Sequence, residues 1–465
     1  MKFQREREGF MERKLLKKVL AVLLTASMSF GFASGCSGKQ EGSSGTKAVS
    51  ESQASEQKVK LKYAISAKNA SETGQKNMIA EINKQAKGFE IEEDVIPGEV
   101  ADFDQKVMVS LMAGDEMDFL YTNDNTVAKY AKADVILPLD DLAKAHSFNI
   151  NSNFGDTIRK INGKTYMLPC TRDVHITFYN KSLFDKAHVP YPDNSTWTWD
   201  KYVEDAKKIT NAKEEIYGSY MLDWDTYFTF SAKQKGVSAY KADGTSNFDD
   251  PAWSESMKFF ADLGNVLKVQ PDIVTYETKK LQWDGFMTGK YGMFVCGSWA
   301  LSMLSDQKTY PRKWKAGIAV MPMVESGKES SLSIMGGYSI CSTTKHKDEA
   351  YKAVQMLALN EWKIPNTGRV PDLVNLSDKE KLSAMKSLSE SLSFDGITAQ
   401  QLENCILSPK INLVCEKVVG NGMTTINDLI PKEGQLYASG QRTLAQTMKE
   451  IKTKSDKAIS DDKNK

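Results

Sequence analysis

Between residues 59 and 65, Val59, Leu61, Tyr63 and Ile65 alternate with Lys and other residues, the period-two pattern of a strand with one buried face. Met78, Ile79, Ile82 and Ala86 then fall at helical spacing. A strand pattern (90–96), a helix (103–114) and another strand (117–121) follow. Such alternation predicts a mostly parallel sheet covered by helices. Further on, Trp199, Tyr202, Val203, Ala206 and Ile209 make one apolar face of a helix that Thr198 is placed to cap. Phe259, Phe260, Leu263, Val266 and Leu267 predict a second helix, and Ala350, Tyr351, Val354, Leu357 and Ala358 a third. A closing helix carries Leu444, Met448 and Ile451. Strands are expected at 174–179, 291–296, 316–321 and 338–341, and no repeat of fixed period occurs.

The N-terminus has a different pattern. Arg13, Lys14, Lys17 and Lys18 precede an apolar stretch from Val19 to Phe32, too short and too diluted for a bilayer-spanning helix but suited to export. Ala33, Ser34 and Gly35 then lead into Cys36 and resemble the bacterial lipobox, which implies lipidation of Cys36. Residues 1–35 are thus read as a lipoprotein signal peptide. Residues 36–57, rich in Ser, Gly, Gln and Glu, read as a flexible tether because they hold too few apolar side chains for a core. A fully secreted protein cleaved nearby is the alternative.

A chain of 465 residues exceeds one ordinary core, so two domains are expected. From Cys36 onward 54 basic residues face 57 acidic ones, which argues against a nucleic-acid partner. Five cysteines follow Cys36, without a CxxC pair, and His146, His175, His188 and His346 are dispersed. Neither a metal site nor a disulfide framework is expected. A Cys405–Cys415 bridge competes with two buried thiols, the preferred reading.

Several segments, in order, resemble the extracellular solute-binding proteins of ABC transporters, in the family of maltose-binding protein and its sugar-binding relatives. They are LMAGDEMDFLYTND (111–124), ADVILPLDDL (133–142), INGKTYMLPCTRDVHITFYNKSLFDKAHV (161–189), TWTWDKYVEDAKKIT (196–210), FMTGKYGMFVCGSWA (286–300), AGIAVMPMV (316–324), GGYSICSTTKHKDEAYKAVQML (336–357) and GRVP (368–371). The resemblance implies an α/β, two-lobed fold of the periplasmic-binding-protein type (type II), each lobe a mixed sheet flanked by helices, with ligand in the cleft. Chain crossings are expected near Arg172 and Asp173, near Gly336 and Gly337, and near Pro365 to Arg369. Lobe one is then 58–171 with the returning segment 338–366, and lobe two is 172–337 with 367–465.

A sugar cleft needs aromatic platforms and groups that hydrogen-bond hydroxyls. By resemblance and position, Trp299 in GSWA is a stacking candidate, with core packing as the competing reading. Trp224, with Asp223, Asp225 and Tyr227, lies in a segment similar to one that contributes an acidic and an aromatic contact in maltose-binding protein. Asp173 stands at the first crossing. Arg172 either shares that role or pairs with Asp173. Tyr338 follows two glycines at the second crossing. Arg369 is either a ligand contact or a structural salt bridge. Asn123 and Asp124 end a strand at the edge where α/β sheets bind ligands. Trp283 and Asp284 are weaker candidates, and Trp197 and Trp199 read as core.

The segment GFMTGK (285–290) is not a phosphate loop, since three residues separate its glycines and Tyr291 stands where Ser or Thr is needed. No GxSxG, HExxH or GxGxxG occurs. KADGTSNFDDP (241–251) lacks the acidic spacing of a calcium loop and reads as a hairpin. The expectation is therefore a monomeric, lipid-anchored receptor at the outer face of the cell membrane, with no catalytic residue, metal or cofactor. It would deliver a sugar or oligosaccharide to ABC permease subunits. A non-carbohydrate solute, a sensor role and a surface glycan-degrading enzyme are the alternatives.

Overall fold

The structure, a computed structural model, describes residues 58–463 apart from 98–99, 156–157, 159, 326 and 365–366. The signal segment, Cys36, the tether, Pro365 and Asn366 lie outside the described residues. Eleven strands occur among the described residues: β1 (Val59–Ser66), β2 (Phe89–Ile96), β3 (Phe119–Asn123), β4 (Lys160–Ile161), β5 (Lys164–Thr165), β6 (Leu168–Asn180), β7 (Tyr217–Tyr220), β8 (Tyr291–Gly297), β9 (Ala316–Val320), β10 (Ser330–Ile340) and β11 (Asn412–Cys415).

In the first lobe β1 lies parallel to both β2 and β3, and β3 pairs antiparallel with the C-terminal half of β10. The alternation of β1 is explained by a core on each face of this sheet. Leu61, Tyr63 and Ile65 join Phe119, Tyr338 and Tyr351 on one side, and Ala64 joins Leu120, Val127 and Met335 on the other. In the second lobe β7 runs parallel to β8, while β8 and β9 both pair antiparallel with β6. Its core includes Phe178, Trp197, Tyr202 and Phe294.

Two strands belong to both lobes. β6 pairs with β10 from Leu168 to Val174 and with β8 and β9 from His175 to Asn180. β10 pairs with β11 at Ser330–Ser333 and with β3 at Gly336–Ile340. A third crossing segment joins them, where Arg172 N–H donates to Val370 O at 3.1 Å and Val370 N–H to Thr171 Oγ1 at 3.2 Å. The sheet is accordingly mixed, where alternation along the chain predicts mostly parallel pairing, because β6 and β10 run between the lobes in opposite directions. Both are longer than their expected spans of 174–179 and 338–341, since the crossing residues are covered by neighbours of both lobes and show no period-two pattern.

Local signals otherwise act as the sequence suggests. Thr198 Oγ1 accepts from Lys201 N–H at 3.3 Å and caps the helix Trp199–Ile209. Trp197 and Trp199 are buried, their indole N–H groups donating to Thr177 Oγ1 and Gln234 Oε1. The helices Asp378–Ser391, Met423–Ala438 and Leu444–Lys463 contribute Met385, Ile426 and Ile451 to the second lobe's core. Cys405 and Cys415 are unbridged; Cys405 is buried and Cys415 half-buried. Among the described residues no helix is long and apolar enough to cross a membrane.

Candidate functional site

A cavity of about 360 Å³ opens between the lobes and is walled by both. The first lobe supplies Tyr63, Asn69, Glu72, Gln75, Tyr121, Asn123 and Asn125. Trp224, Trp283, Trp299, Ser302, Glu416 and Lys417 come from the second, and Asp173 and Arg369 from the segments that join them.

The aromatic wall is built by close packing. The centroids of Trp224 and Trp299 lie 6.3 Å apart with their planes tilted by 36°, and His175 meets Trp299 edge-on at 5.5 Å. Trp299 folds back over the end of β8, where a Cβ on Gly297 would come within 1.8 Å of its ring. Glycine at that position is therefore what lets the ring lie beside the strand. Tyr121 depends likewise on Gly336, whose Cβ would meet the phenol oxygen at 1.7 Å. Trp283 carries the Lys68 ammonium 5.7 Å from its ring centroid.

Beneath the polar wall lie buried charges. Arg369 Nε donates to Glu361 Oε1 at 2.8 Å, with its guanidinium 4.8 Å from the Tyr121 ring centroid. Burial opposes the charge of Arg369, yet Glu361 outweighs it and raises the guanidinium above its ordinary value. Glu416 Oε2 lies 2.6 Å from His175 Nε2, and Lys417 Nζ lies 2.6 Å from Asp225 and 3.1 Å from Glu416. Burial favours protonation of Glu416, but Lys417 and His175 prevail and hold it well below the usual carboxylate range. Asp173 accepts from the Ser298 hydroxyl at 2.8 Å; burial pushes its carboxyl up to about 6 against the pull of Arg369. Glu72 is pushed up to about 7, again by burial, although Lys68 pulls the other way.

Of the residues singled out from the sequence, Asp173, Trp224, Trp283, Trp299, Arg369 and Asn123 stand on the cavity wall. At the start of the next helix, Asn123 also accepts from Asn125 and Thr126 N–H at 2.9 and 3.1 Å. The other seven stand behind the wall or away from it, Asp284 pairing with Lys68 of the first lobe. Asp225 holds Lys417. Tyr227 is buried behind Trp224 and donates to Val295 O at 2.7 Å. Tyr338 is core, its hydroxyl donating to Glu361 Oε2 at 2.8 Å and so steadying the acid that holds Arg369. Asp124 accepts from Met335 N–H at 2.9 Å, and Arg172 pairs with Asp372, not with Asp173. Asp223 accepts from Gln435 at 2.8 Å in a separate small cavity.

Sequence reasoning missed Asn69, Glu72 and Gln75, which follow the C-terminal end of β1. The strand-edge argument applied to Asn123 reaches them equally. It also missed Glu361, Glu416 and Lys417, for which no local signal exists.

The family model for bacterial extracellular solute-binding proteins matches residues 67–364, more than half of the chain. The chain belongs to this family. Among solved structures, this binding protein is similar to an ABC substrate-binding protein of Listeria monocytogenes in complex with cycloalternan, at 23% identity and a TM-score of 0.72, covering 87% of this chain and 100% of that one. A maltose-bound Thermotoga maritima protein aligns at 20% identity and a TM-score of 0.65, covering 85% and 98%. These likenesses establish the two-lobed type II fold. Among curated proteins, a putative binding protein of Brucella abortus is 24% identical over 283 residues, 59% of this chain and 66% of its own length. The maltotriose-binding protein of Pyrococcus abyssi is 24% identical over 267 residues, 56% and 54%. The match thus spans just under two thirds of the Brucella relative and about half of the Pyrococcus one.

Proposed function

We propose that this binding protein captures a sugar or oligosaccharide outside the cell and delivers it to an ABC importer. The observation that carries the reading is the cavity between the lobes, where Trp224, Trp283 and Trp299 face carboxylates and amides contributed by both sides. Indole faces match the apolar C–H faces of a pyranose, and the polar groups match its hydroxyls. Ligand that touches both lobes favours their closed arrangement by the free energy of the added contacts, and closure is what a permease would recognise. No covalent step is required. The Listeria and Pyrococcus relatives, described by the saccharides they bind, support the same class.

The chain acts as a monomer held at the outer face of the membrane through lipid on Cys36, with residues 36–57 as tether and 58–171 and 338–366 forming one lobe. Mass spectrometry of membrane-extracted protein is expected to find Cys36 acylated at the new N-terminus. For the ligand, a thermal-shift screen of the full chain against mono- and oligosaccharides is expected to give a saturable rise in Tm, since ligand that binds only the folded state must stabilise it. Trp299→Ala removes a stacking platform and is expected to weaken that ligand by roughly ten-fold or more. A folded protein unmoved by every saccharide would sink the reading in favour of another solute.

A further inference from the structure

The charges on the cavity wall are unbalanced. Five carboxyl groups line it, those of Glu72, Asp104, Asp173, Glu361 and Glu416, against two cations, Arg369 and Lys417. Both cations are engaged by the protein, Arg369 with Glu361 and Lys417 with Asp225 and Glu416. Two lysines outside the wall that act on these acids are engaged too: Lys68, which pulls on Glu72, pairs with Asp284, and Lys129, which pulls on Asp104, pairs with Asp428. Glu72, Asp104 and Asp173 therefore have no ion-pair partner among the described residues. Each also lacks hydrogen bonds a carboxylate would accept. Asp173 is 2% exposed and receives one side-chain donor, Ser298; Asp104 receives Tyr130 at 3.0 Å; and buried Glu72 Oε1 receives none.

A carboxylate desolvated without a counter-charge is unfavourable, and a cation brought by the ligand offsets that cost. The indole faces of Trp224, Trp283 and Trp299 attract the same charge. A ligand carboxylate or phosphate would meet three uncompensated acids and, among the described residues, no free cation on the wall. Resting on the saccharide reading above, we infer that the cleft selects by charge: it takes a sugar bearing a protonated amino group in preference to the neutral sugar of the same ring, and excludes the corresponding uronate. The raised carboxyls of Glu72 and Asp173 agree with this, since burial without enough positive charge is what raises them.

Calorimetric titration of the full chain with matched trios tests the inference: the 2-amino, neutral and uronate forms of gluco-, galacto- and manno-configured mono- and disaccharides, with a linear triamine as a non-sugar cation. The amino form is expected to bind about ten-fold more tightly than its neutral partner, and the uronate not at all. Glu72→Gln and Asp173→Asn should each narrow the ratio of amino to neutral affinity. Neutral or uronate forms binding as tightly as the amino form would overturn charge selection and leave the saccharide reading standing. Binding of the triamine with silence from every sugar would support charge selection and overturn the saccharide reading. Silence from all ligands would overturn both.

Discussion

Asp173 shows how a single residue joins hinge, cleft and stability. It sits on β6 between the lobes, is fully enclosed, and has its carboxyl pushed from 3.8 up to about 6 by burial. Because the folded-state value is the higher one, the folded protein binds this proton more tightly than the unfolded chain. Its contribution to stability is therefore present below 3.8 and is lost as pH rises through about 6. Asp173→Asn keeps an acceptor for Ser298 without the charge. The ligand-free variant is expected to be more stable than the parent at pH 7, by on the order of 1–3 kcal/mol, with the gain vanishing in acid. Thermal unfolding across pH reads this directly, and equal midpoints at pH 7 would show that the carboxylate ionises there without penalty. A residue that destabilises the empty protein while facing the ligand is a common compromise at functional sites.

Among elements, the C-terminal helices lie beyond the match to the family model, which ends at residue 364. One buried pair fastens them to the second lobe. The two terminal nitrogens of the Arg312 guanidinium, just before β9, donate at 2.6 Å to Asp395, which follows the helix Asp378–Ser391 and also accepts from Ala316 N–H at 2.7 Å. With neither side chain more than 1% exposed, removing one partner leaves a buried charge alone. Arg312→Ala is expected to cost about 3–5 kcal/mol in urea unfolding. Lys186→Ala, which breaks an exposed pair with Glu214, should cost less than about 1 kcal/mol. Comparable losses for the two would mean that the Arg312 pair is solvated and does not anchor the segment.

At the scale of the whole molecule, the lobes touch at ion pairs on the rim of the cleft. Lys68 of the first lobe pairs with Asp284 of the second, its ammonium 5.7 and 5.9 Å from the ring centroids of Trp283 and Tyr310. Elsewhere Lys129 reaches Asp428 at 2.5 Å and Lys132 reaches Asp462 at 2.8 Å. Partly exposed pairs contribute modestly, so Lys68→Ala is expected to weaken ligand binding by less than about five-fold, chiefly through faster dissociation as the closed form loses support. Stopped-flow dissociation together with solution scattering would detect it. An unchanged rate and an unchanged scattering profile would remove Lys68 from lobe closure.

The sequence alone determined what is local. Alternation in Val59–Ile65 marked β1, and the Thr198 cap marked a helix start. Each depends on residues adjacent in the chain, so periodicity and backbone freedom suffice to read it. The order of family segments extended this to the two-lobed architecture. Tertiary structure decided which polar residues meet. Tyr338, next to the expected crossing glycines, turns into the core to hold Glu361, while Glu416 and Lys417, more than 100 residues past Trp299, form the wall beside it. Pairing of His175 with Glu416, and of Arg172 with Asp372 instead of its neighbour Asp173, follows from how β6 lies against β10 and the C-terminal segment. A side chain's partner across a cleft is set by packing between elements distant in sequence, and no local pattern encodes that distance.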